Sequence, residues 1–262
     1  MECDIITLFP DMVLPILDQS MLKRAQEKGL LKVNVHNLRD YTQDRHRVAD
    51  DTPYGGGAGM VIKAEAVLCA IDALREEFGA SENAMRILIP SPQGRPFTQQ
   101  IAEELQRDPR RIVFICGHYE GFDERVRVGL NAEEVSIGDY VVTNGELPAL
   151  VMLDAAVRLI PGVLGDPDSA QQDSFVDALL DCPHYTRPPD VRGMTVPDVL
   201  LSGNHEAIRR WRRKEALRST YVKRPELLQD RLLSQEDRRL LDEILQETTK
   251  RPSVLCVEEE CP

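Results

Sequence analysis

The 262-residue chain contains no apolar run of membrane-spanning length, so the sequence pattern excludes a hydrophobic transmembrane helix. Its start, Met1-Glu2-Cys3-Asp4, lacks the positive charge that opens a secretory signal, and the expected compartment is the cytoplasm. Six cysteines (Cys3, Cys69, Cys116, Cys182, Cys256, Cys261) make no CxxC pair and have no histidine at zinc spacing. They read as reduced thiols, with no metal site. There is no internal repeat. Positive charge is in deficit: the formal net charge is -12, which by itself argues against a polyanionic partner. The distribution argues otherwise, because "HEAIRRWRRKEALRST" (205–220) carries Arg209, Arg210, Arg212, Arg213, Lys214 and Arg218 against only Glu206 and Glu215. It is a basic helix on an acidic protein.

A 42% hydrophobic content is ample for a core. From the start, apolar strands alternate with helical patterns: "CDIITLF", a helix from about Pro10 to Gly29, "LLKVNVH", and a helix from about Lys63 to Phe78. Next come "RILIP", a helix from about Phe97, "RIVFIC", a turn "GHYEGFDERV", and "EVSIG". Ile137, Tyr140, Val141, Val142 and Thr143 read as a buried strand that breaks at Asn144-Gly145 before a helix opening with Glu146 and Pro148. This rhythm predicts an α/β domain with a mainly parallel sheet over residues 1–160. The aperiodic "PGVLGDPDSAQQDSF" predicts a flexible linker over 161–173. A small domain of helices only is expected over 174–248: "SFVDALLD", the basic helix, "PELLQDRLL", and "SQEDRRLLDEILQE" with Ser234 and Asp237 in capping-box spacing. Residues 249–262 form an acidic tail expected to be disordered.

Several stretches invite chemistry. "YGGGAGM" (54–60) places four glycines in a loop before a helix, which could cradle a phosphate or merely connect. It lacks the Lys-Ser/Thr of a Walker A loop, which disfavours a nucleotide hydrolase. Gly117, His118, Tyr119, Glu120 and Gly121 follow a strand, where α/β folds gather ligands. His118 is either a base or a hydrogen-bonded structural residue, and Glu120 is the better candidate for holding a cationic or hydroxylated group. Arg158 could pair with Asp154 on the surface or clamp an anion. Asp173 could be an N-cap, but Ser174 with Asp177 could cap equally well, which leaves Asp173 free for other work.

Together, "DIITLFP", "YGGGAGM", "SPQGR", "YEGFDERV", "SIGDYV" with "GELPA", "IPGVLG", "DSF", "LLDCPHYTRP" and "VPDVLLSGNHEAIRRWR" resemble the tRNA (guanine-N1)-methyltransferase (TrmD) family of the SPOUT superfamily, in family order and over nearly the whole chain. The resemblance implies a deep trefoil knot in the C-terminal part of the α/β domain, followed by a small all-α domain. It implies that the knot loops bind S-adenosylmethionine through Ser91, Pro92, Gly117, Tyr119, Glu120, Gly121, Ile137, Gly138, Tyr140, Val142, Gly145 and Pro148. It also implies a homodimer in which the linker of one subunit closes over the pocket of the other. The expected reaction is methylation of N1 of the guanosine 3′-adjacent to the anticodon, position 37 of tRNA, with a role in keeping the reading frame.

Guanine N1 carries a proton at neutral pH, and removing it moves negative charge onto O6. The chemistry therefore asks for a base near N1 and a cation near O6. An ordinary aspartate is a far weaker base than deprotonated guanine, each unit of mismatch costing about 1.4 kcal/mol; desolvation and an arginine at O6 can close the gap. By motif, the resemblance makes Asp173 the general base, Arg158 the O6 clamp, and Glu120 a neighbour of the methyl donor. It associates Mg²⁺ with the activity and gives Arg209, Arg210, Arg212, Arg213 and Lys214 to the tRNA phosphates, with Ile208 and Trp211 facing the small domain's core. Two positions depart from the family pattern: His118 stands where Arg precedes Tyr-Glu-Gly, and Asn144 stands where glycine precedes Gly-Glu-Leu-Pro, Asn being the best substitute where φ is positive. The rival readings are another SPOUT RNA methylase and a non-catalytic RNA-binding protein.

Overall fold

The computed structural model describes residues 1–78, 84–165, 173–229 and 233–250. The chain divides into two compact units, Met1–Pro167 and Asp168–Pro262. Residues 166–172 of the expected linker and 251–262 of the expected tail lie outside the described residues.

The first unit is built on a parallel sheet of β1 (Glu2–Thr7), β2 (Lys32–Asn37), β5 (Met85–Pro96), β6 (Arg111–Ile115) and β7 (Glu133–Ser136), in the order β2-β1-β6-β5-β7. β1 and β6 are apolar on both faces, as interior parallel strands must be when helices cover each side. Successive side chains alternate between two cores. Cys3, Ile5, Leu88, Ile112 and Phe114 point one way, toward α1 (Leu14–Leu17), α2 (Ser20–Glu27), α4 (Gln99–Arg107) and α6 (Glu146–Val157). Ile6, Ile87, Ile89, Val113 and Ile115 point the other way, toward α3 (Ala64–Phe78) and α5 (Glu124–Gly129). The expected α/β layering is therefore present. Buried Asp4 is the polar exception on β1, and Arg111 (2.7 Å), His36 (2.7 Å) and Asn34 (3.0 Å) satisfy it. Burial alone would raise its carboxyl; those hydrogen bonds hold it below the usual range.

Local chemistry redrew several expected elements. The helix expected over 10–29 is a 3₁₀ turn at Pro10–Met12, then α1 and α2, broken where Ser20 takes φ 48°. Between β6 and β7 the expected turn contains α5, whose N-cap Asp123 accepts from the Arg125 amide at 2.9 Å. The start of the expected linker is anchored: Val163 is buried in the first unit's core, and Gly162 O accepts from Lys28 Nζ at 2.7 Å.

The second unit holds α7 (Asp198–Leu201), α8 (His205–Lys223) and α9 (Gln235–Lys250) around Leu179, Leu217, Leu240 and Ile244. α9 opens with the expected capping box: Asp237 N donates to Ser234 Oγ at 3.0 Å, and Ser234 N reaches Asp237 at 3.4 Å. Two expectations are corrected. "SFVDALLD" is not a helix: Phe175 and Ala178 take φ of 73° and 50°, and Phe175 N closes the turn on Leu179 O at 2.7 Å. Ser174 consequently caps no helix and accepts from Asp181 N at 3.0 Å. Nor is the unit helical only, because β8 (Asp190–Val191) and β9 (Met194–Thr195) pair antiparallel around Arg192-Gly193, both at positive φ. That is the geometry a two-residue hairpin turn demands.

Candidate active site

Off the C-terminal ends of β5, β6 and β7 lies a pocket of about 290 Å³. Ser91 and Pro92 come from the excursion within β5, Gly117 to Gly121 from the loop after β6, Ile137 to Gly145 from the loop after β7, and Pro148 from the first turn of α6. All twelve residues expected to hold the methyl donor line this one wall.

Two glycines make the wall possible by allowing backbones to touch. Gly145 donates to Gly117 O at 2.7 Å, and a Cβ on Gly145 would sit 2.7 Å from Gly117 N. A Cβ on Gly94 would fall 2.3 Å from the Glu134 carbonyl carbon, so the β5 excursion can close on β7 only without a side chain there. Ile137 to Thr143 is not the expected buried strand. β7 ends at Ser136, whose hydroxyl bonds Gly138 O at 3.0 Å, accepts from Gly138 N at 3.1 Å, and turns the chain outward. Tyr140 and Val141 are therefore exposed, at 57% and 83%, on the pocket rim. A β-branched run names a strand only where something covers it.

Asn144 is absent from the positive-φ residues, which corrects the reason given for tolerating it. Its Oδ1 accepts from Leu147 N at 3.2 Å and caps α6. His118 is wedged between Phe9 (ring centroids 4.5 Å) and Tyr119 (4.8 Å), with Nδ1 buried and without a hydrogen-bond partner among the described residues. It has packing but no partner to orient Nδ1, so neither the base nor the hydrogen-bonded structural reading of His118 finds its partner among the described residues.

The glycine loop lies between β3 (Asp50–Asp51) and β4 (Val61–Ile62) instead of opening a helix, so it is not a helix-terminal phosphate cradle. Its contribution is contact with Glu120. Glu120 N donates to Met60 O at 3.1 Å, and a Cβ on Gly59 would lie 2.6 Å from Glu120 Cγ.

The sequence marked Glu146 only as the start of a helix and gave no role to Thr7 or Arg127. Glu146 is fully buried in the first turn of α6, where its charge suits the helix dipole. The Thr7 hydroxyl donates to its Oε1 and ties the end of β1 to the first turn of α6, while Oε2 has no partner among the described residues. A carboxylate in an otherwise apolar helix was the available signal. Arg127 reaches the pocket from α5 and bonds Glu134 at 2.9 Å.

The other expected catalytic residues stand elsewhere. Arg158 caps the far end of α6, about 18 Å from its start at 1.5 Å per residue. Asp173 belongs to the second unit and lines a cavity of about 510 Å³ there with Asp177, Asp181, His205 and Arg212. Among the described residues, Asp181, Cys182 and His184 are the one group placed to share a metal ion, and they too lie in the second unit.

Most of the basic row of α8 is engaged in ion pairs within the unit. Arg209 pairs with Glu236 (2.9 Å), Arg210 with Glu243, Arg213 with Asp237 (2.7 Å), Lys214 with Glu243 and Glu247 (2.8 and 2.7 Å), and Arg218 with Glu247 (2.5 Å). Lys214 first and then Arg218 hold the Glu247 carboxyl down at about 2. Of the expected RNA contacts, Arg212 alone makes no ion pair among the described residues. Ile208 and Trp211, expected in the core, are half-buried and line a groove on the other side.

Residues 1–230 match the family model described as tRNA (Guanine-1)-methyltransferase TrmD. The chain is 53% identical over 247 residues to a tRNA (guanine-N(1)-)-methyltransferase of Dictyoglomus turgidum, covering 94% of this chain and 98% of that protein. Enzymes of the same name from Dehalococcoides mccartyi and Bacillus cereus are each 52% identical over 247 residues, covering 94% of this chain and 98% and 100% of theirs.

Proposed function

Since the chain belongs to the tRNA (guanine-1)-methyltransferase TrmD family, whose members use S-adenosylmethionine, we propose that it methylates N1 of guanosine 37 in tRNA at the pocket beside β5, β6 and β7. The observation that carries the reading is the convergence of three separate loops on one pocket, with glycines where their backbones approach one another. Such a wall suits an adenosyl group held by main-chain hydrogen bonds, and the buried Nδ1 of His118 is a polar atom still available to a ligand. When bound, S-adenosylmethionine supplies an electrophilic methyl group. The loops Ser91–Pro92, Gly117–Gly121 and Ile137–Gly145 hold and orient it, and a trefoil knot in this part of the chain would keep those loops rigid. Glu120, braced by the glycine loop, faces the donor's cationic end. It is the one carboxylate among the lining residues, so a Mg²⁺ ion there would be held mainly by water and substrate oxygens.

Asp173 accepts the N1 proton and Arg158 stabilises the charge that appears on O6. Both must meet a pocket whose wall contains neither. A homodimer solves this, with Arg158 at the end of α6 and Asp173 on the second unit serving a pocket shared with a second copy. Each copy would be a knotted domain, a linker that orders over the substrate, and a small, mainly helical RNA-binding domain, working in the cytoplasm where tRNA is processed.

The test is to incubate the protein with S-adenosylmethionine and two tRNA transcripts, one with guanosine at 36 and 37 and one with adenosine at 37. Nucleoside mass spectrometry should find 1-methylguanosine in the first only. Cofactor binding with neither transcript methylated would overturn the assignment.

A further inference from the structure

In the second unit, a groove of about 760 Å³ runs between the segment Pro183–Pro189 and the α8 face that carries Trp211. It differs from its surroundings in charge. The chain has 44 Asp and Glu residues, yet no carboxylate lines this groove, whereas Arg187 and Arg212 do; His184, also in the lining, is bonded to Asp181 at 2.7 Å, and Arg212 also borders the cavity of Asp173, Asp177 and Asp181. Neither arginine forms an ion pair among the described residues, in contrast to the row Arg209, Arg210, Arg213 and Lys214, which the carboxylates of α9 neutralise.

The groove is also aromatic and open. Tyr185 and Trp211 lie with ring centroids 6.3 Å apart and planes tilted by 55°, so neither ring covers the other. Tyr185 is 50% exposed and Leu201 60% exposed, apolar surface that water solvates poorly. Uncovered aromatic rings beside guanidiniums that make no ion pair among the described residues, in a groove no carboxylate lines, is the composition of a single-stranded RNA site. Any base can stack on an aromatic face, and arginine serves both the flanking phosphates and the base plane.

We infer that this groove receives an unpaired base of the RNA substrate, stacked on Tyr185 and Trp211, while Arg187 and Arg212 hold its flanking phosphates. The inference rests on the reading of tRNA as substrate and moves the RNA contact from the neutralised row of α8 to its other side. It follows that Arg212 is the residue of the basic helix that matters for RNA.

Trp211 is the chain's only tryptophan, so its fluorescence reports on the groove directly. The full-length protein is titrated with an anticodon stem-loop transcript and, separately, with a blunt RNA duplex of equal length. The stem-loop should quench Trp211 saturably and the duplex should not. Tyr185→Ala should weaken stem-loop affinity about 10-fold, within the range for losing one stacked base, while Tyr185→Phe binds as the parent does. The double variant Arg187→Gln, Arg212→Gln should reduce the slope of log affinity against log salt by about 1.4, about 0.7 for each phosphate contact on a single strand. Arg210→Gln should leave the slope unchanged. Parental S-adenosylmethionine binding and thermal transition certify the fold of each variant, and if Tyr185→Ala fails that check the arginine pair decides.

The inference is overturned if bound stem-loop leaves Trp211 emission unchanged, or if the arginine pair leaves the slope unaltered. It is equally overturned if Tyr185→Ala shifts the monomer–dimer balance in sedimentation and not RNA affinity, since the groove would then belong to a second copy. All these readouts are of binding. Quenching without 1-methylguanosine would remove the proposed activity and keep the groove, and 1-methylguanosine without quenching would do the reverse.

Discussion

The two units hold their helices by different means. In the first, α3, α4 and α6 press apolar faces onto a sheet whose central strands bury Ile5, Ile112, Phe114 and Ile115 completely. In the second, α8 and α9 meet on a small cluster of Leu217, Leu240 and Ile244 with Leu179, flanked by half-buried Ala216 and Leu241, and the seam around it is a ladder of arginines and Lys214 facing glutamates. Apolar burial contributes about 25 cal/mol per Å² and is indifferent to salt. A half-exposed ion pair contributes about 0–1 kcal/mol, is screened by salt, and vanishes when the carboxylate is protonated. The same row of charge reads, in sequence, as a nucleic-acid surface. In the folded unit most of it is also paired with the carboxylates of α9, a contact that sequence alone does not display.

The strongest test of the division of labour separates the units by function. Asp173→Asn should lower the methylation rate by about 10²- to 10⁴-fold with cofactor binding intact. Gly145→Ala, which forces a methyl to 2.7 Å from Gly117 N, should abolish cofactor binding. If a second copy completes each pocket, mixing the two inactive variants under subunit exchange should restore measurable activity. No recovery would confine each site to one chain.

Next in size are the cores. Phe114→Ala should cost about 3–5 kcal/mol and lower the melting temperature of the whole chain. Leu217→Ala should cost about 2–5 kcal/mol. That loss should shift Trp211 emission, which reports on the second unit alone, while isothermal titration with S-adenosylmethionine still finds the first unit competent. Simultaneous loss of both signals would mean that the units do not fold independently.

Acid should separate them by a smaller margin. Glu247 is held at about 2 by Lys214 and then Arg218, and Asp237 is held below its usual range by Arg213 against the opposing effect of burial. A carboxylate with its folded pKa depressed stabilises fully above its unfolded value, near 4.3 for glutamate, and the contribution is lost as pH falls through the folded value. Trp211 emission should therefore change between about pH 4.3 and 2. Asp4 loses stabilisation in the same direction. The larger core should nevertheless keep β1 and β6 amides protected from hydrogen exchange in that window.

The smallest effect is that of one pair. Arg210→Gln should cost a few tenths of a kcal/mol at low salt and nothing measurable at 1 M salt, by chemical denaturation.

Much of the fold could be read in advance because parallel strands buried on both faces are long apolar runs, as in "CDIITLF" and "RIVFIC". The pocket residues were legible through motif resemblance, whereas local pattern misread their conformation. Ile137 to Thr143 has strand composition but no neighbour to pair with, so Tyr140 and Val141 stand in solvent. The "SFVDALLD" stretch has helical composition, but positive φ at Phe175 and Ala178 turns it aside. Glu146 was legible as the start of a helix, but its bond to Thr7, 139 residues away, was not.

The sequence by itself determined the alternation of strands and helices in the first unit and the family, since hydrophobic period and motif are properties of neighbours along the chain. Only the tertiary structure decided that Gly94 and Gly145 are places where backbones touch, that the cations of α8 are matched by α9, and that Arg187 and Arg212 are not. The physical reason is distance. Close packing and charge pairing act between groups a few ångströms apart in space, whatever their separation along the chain.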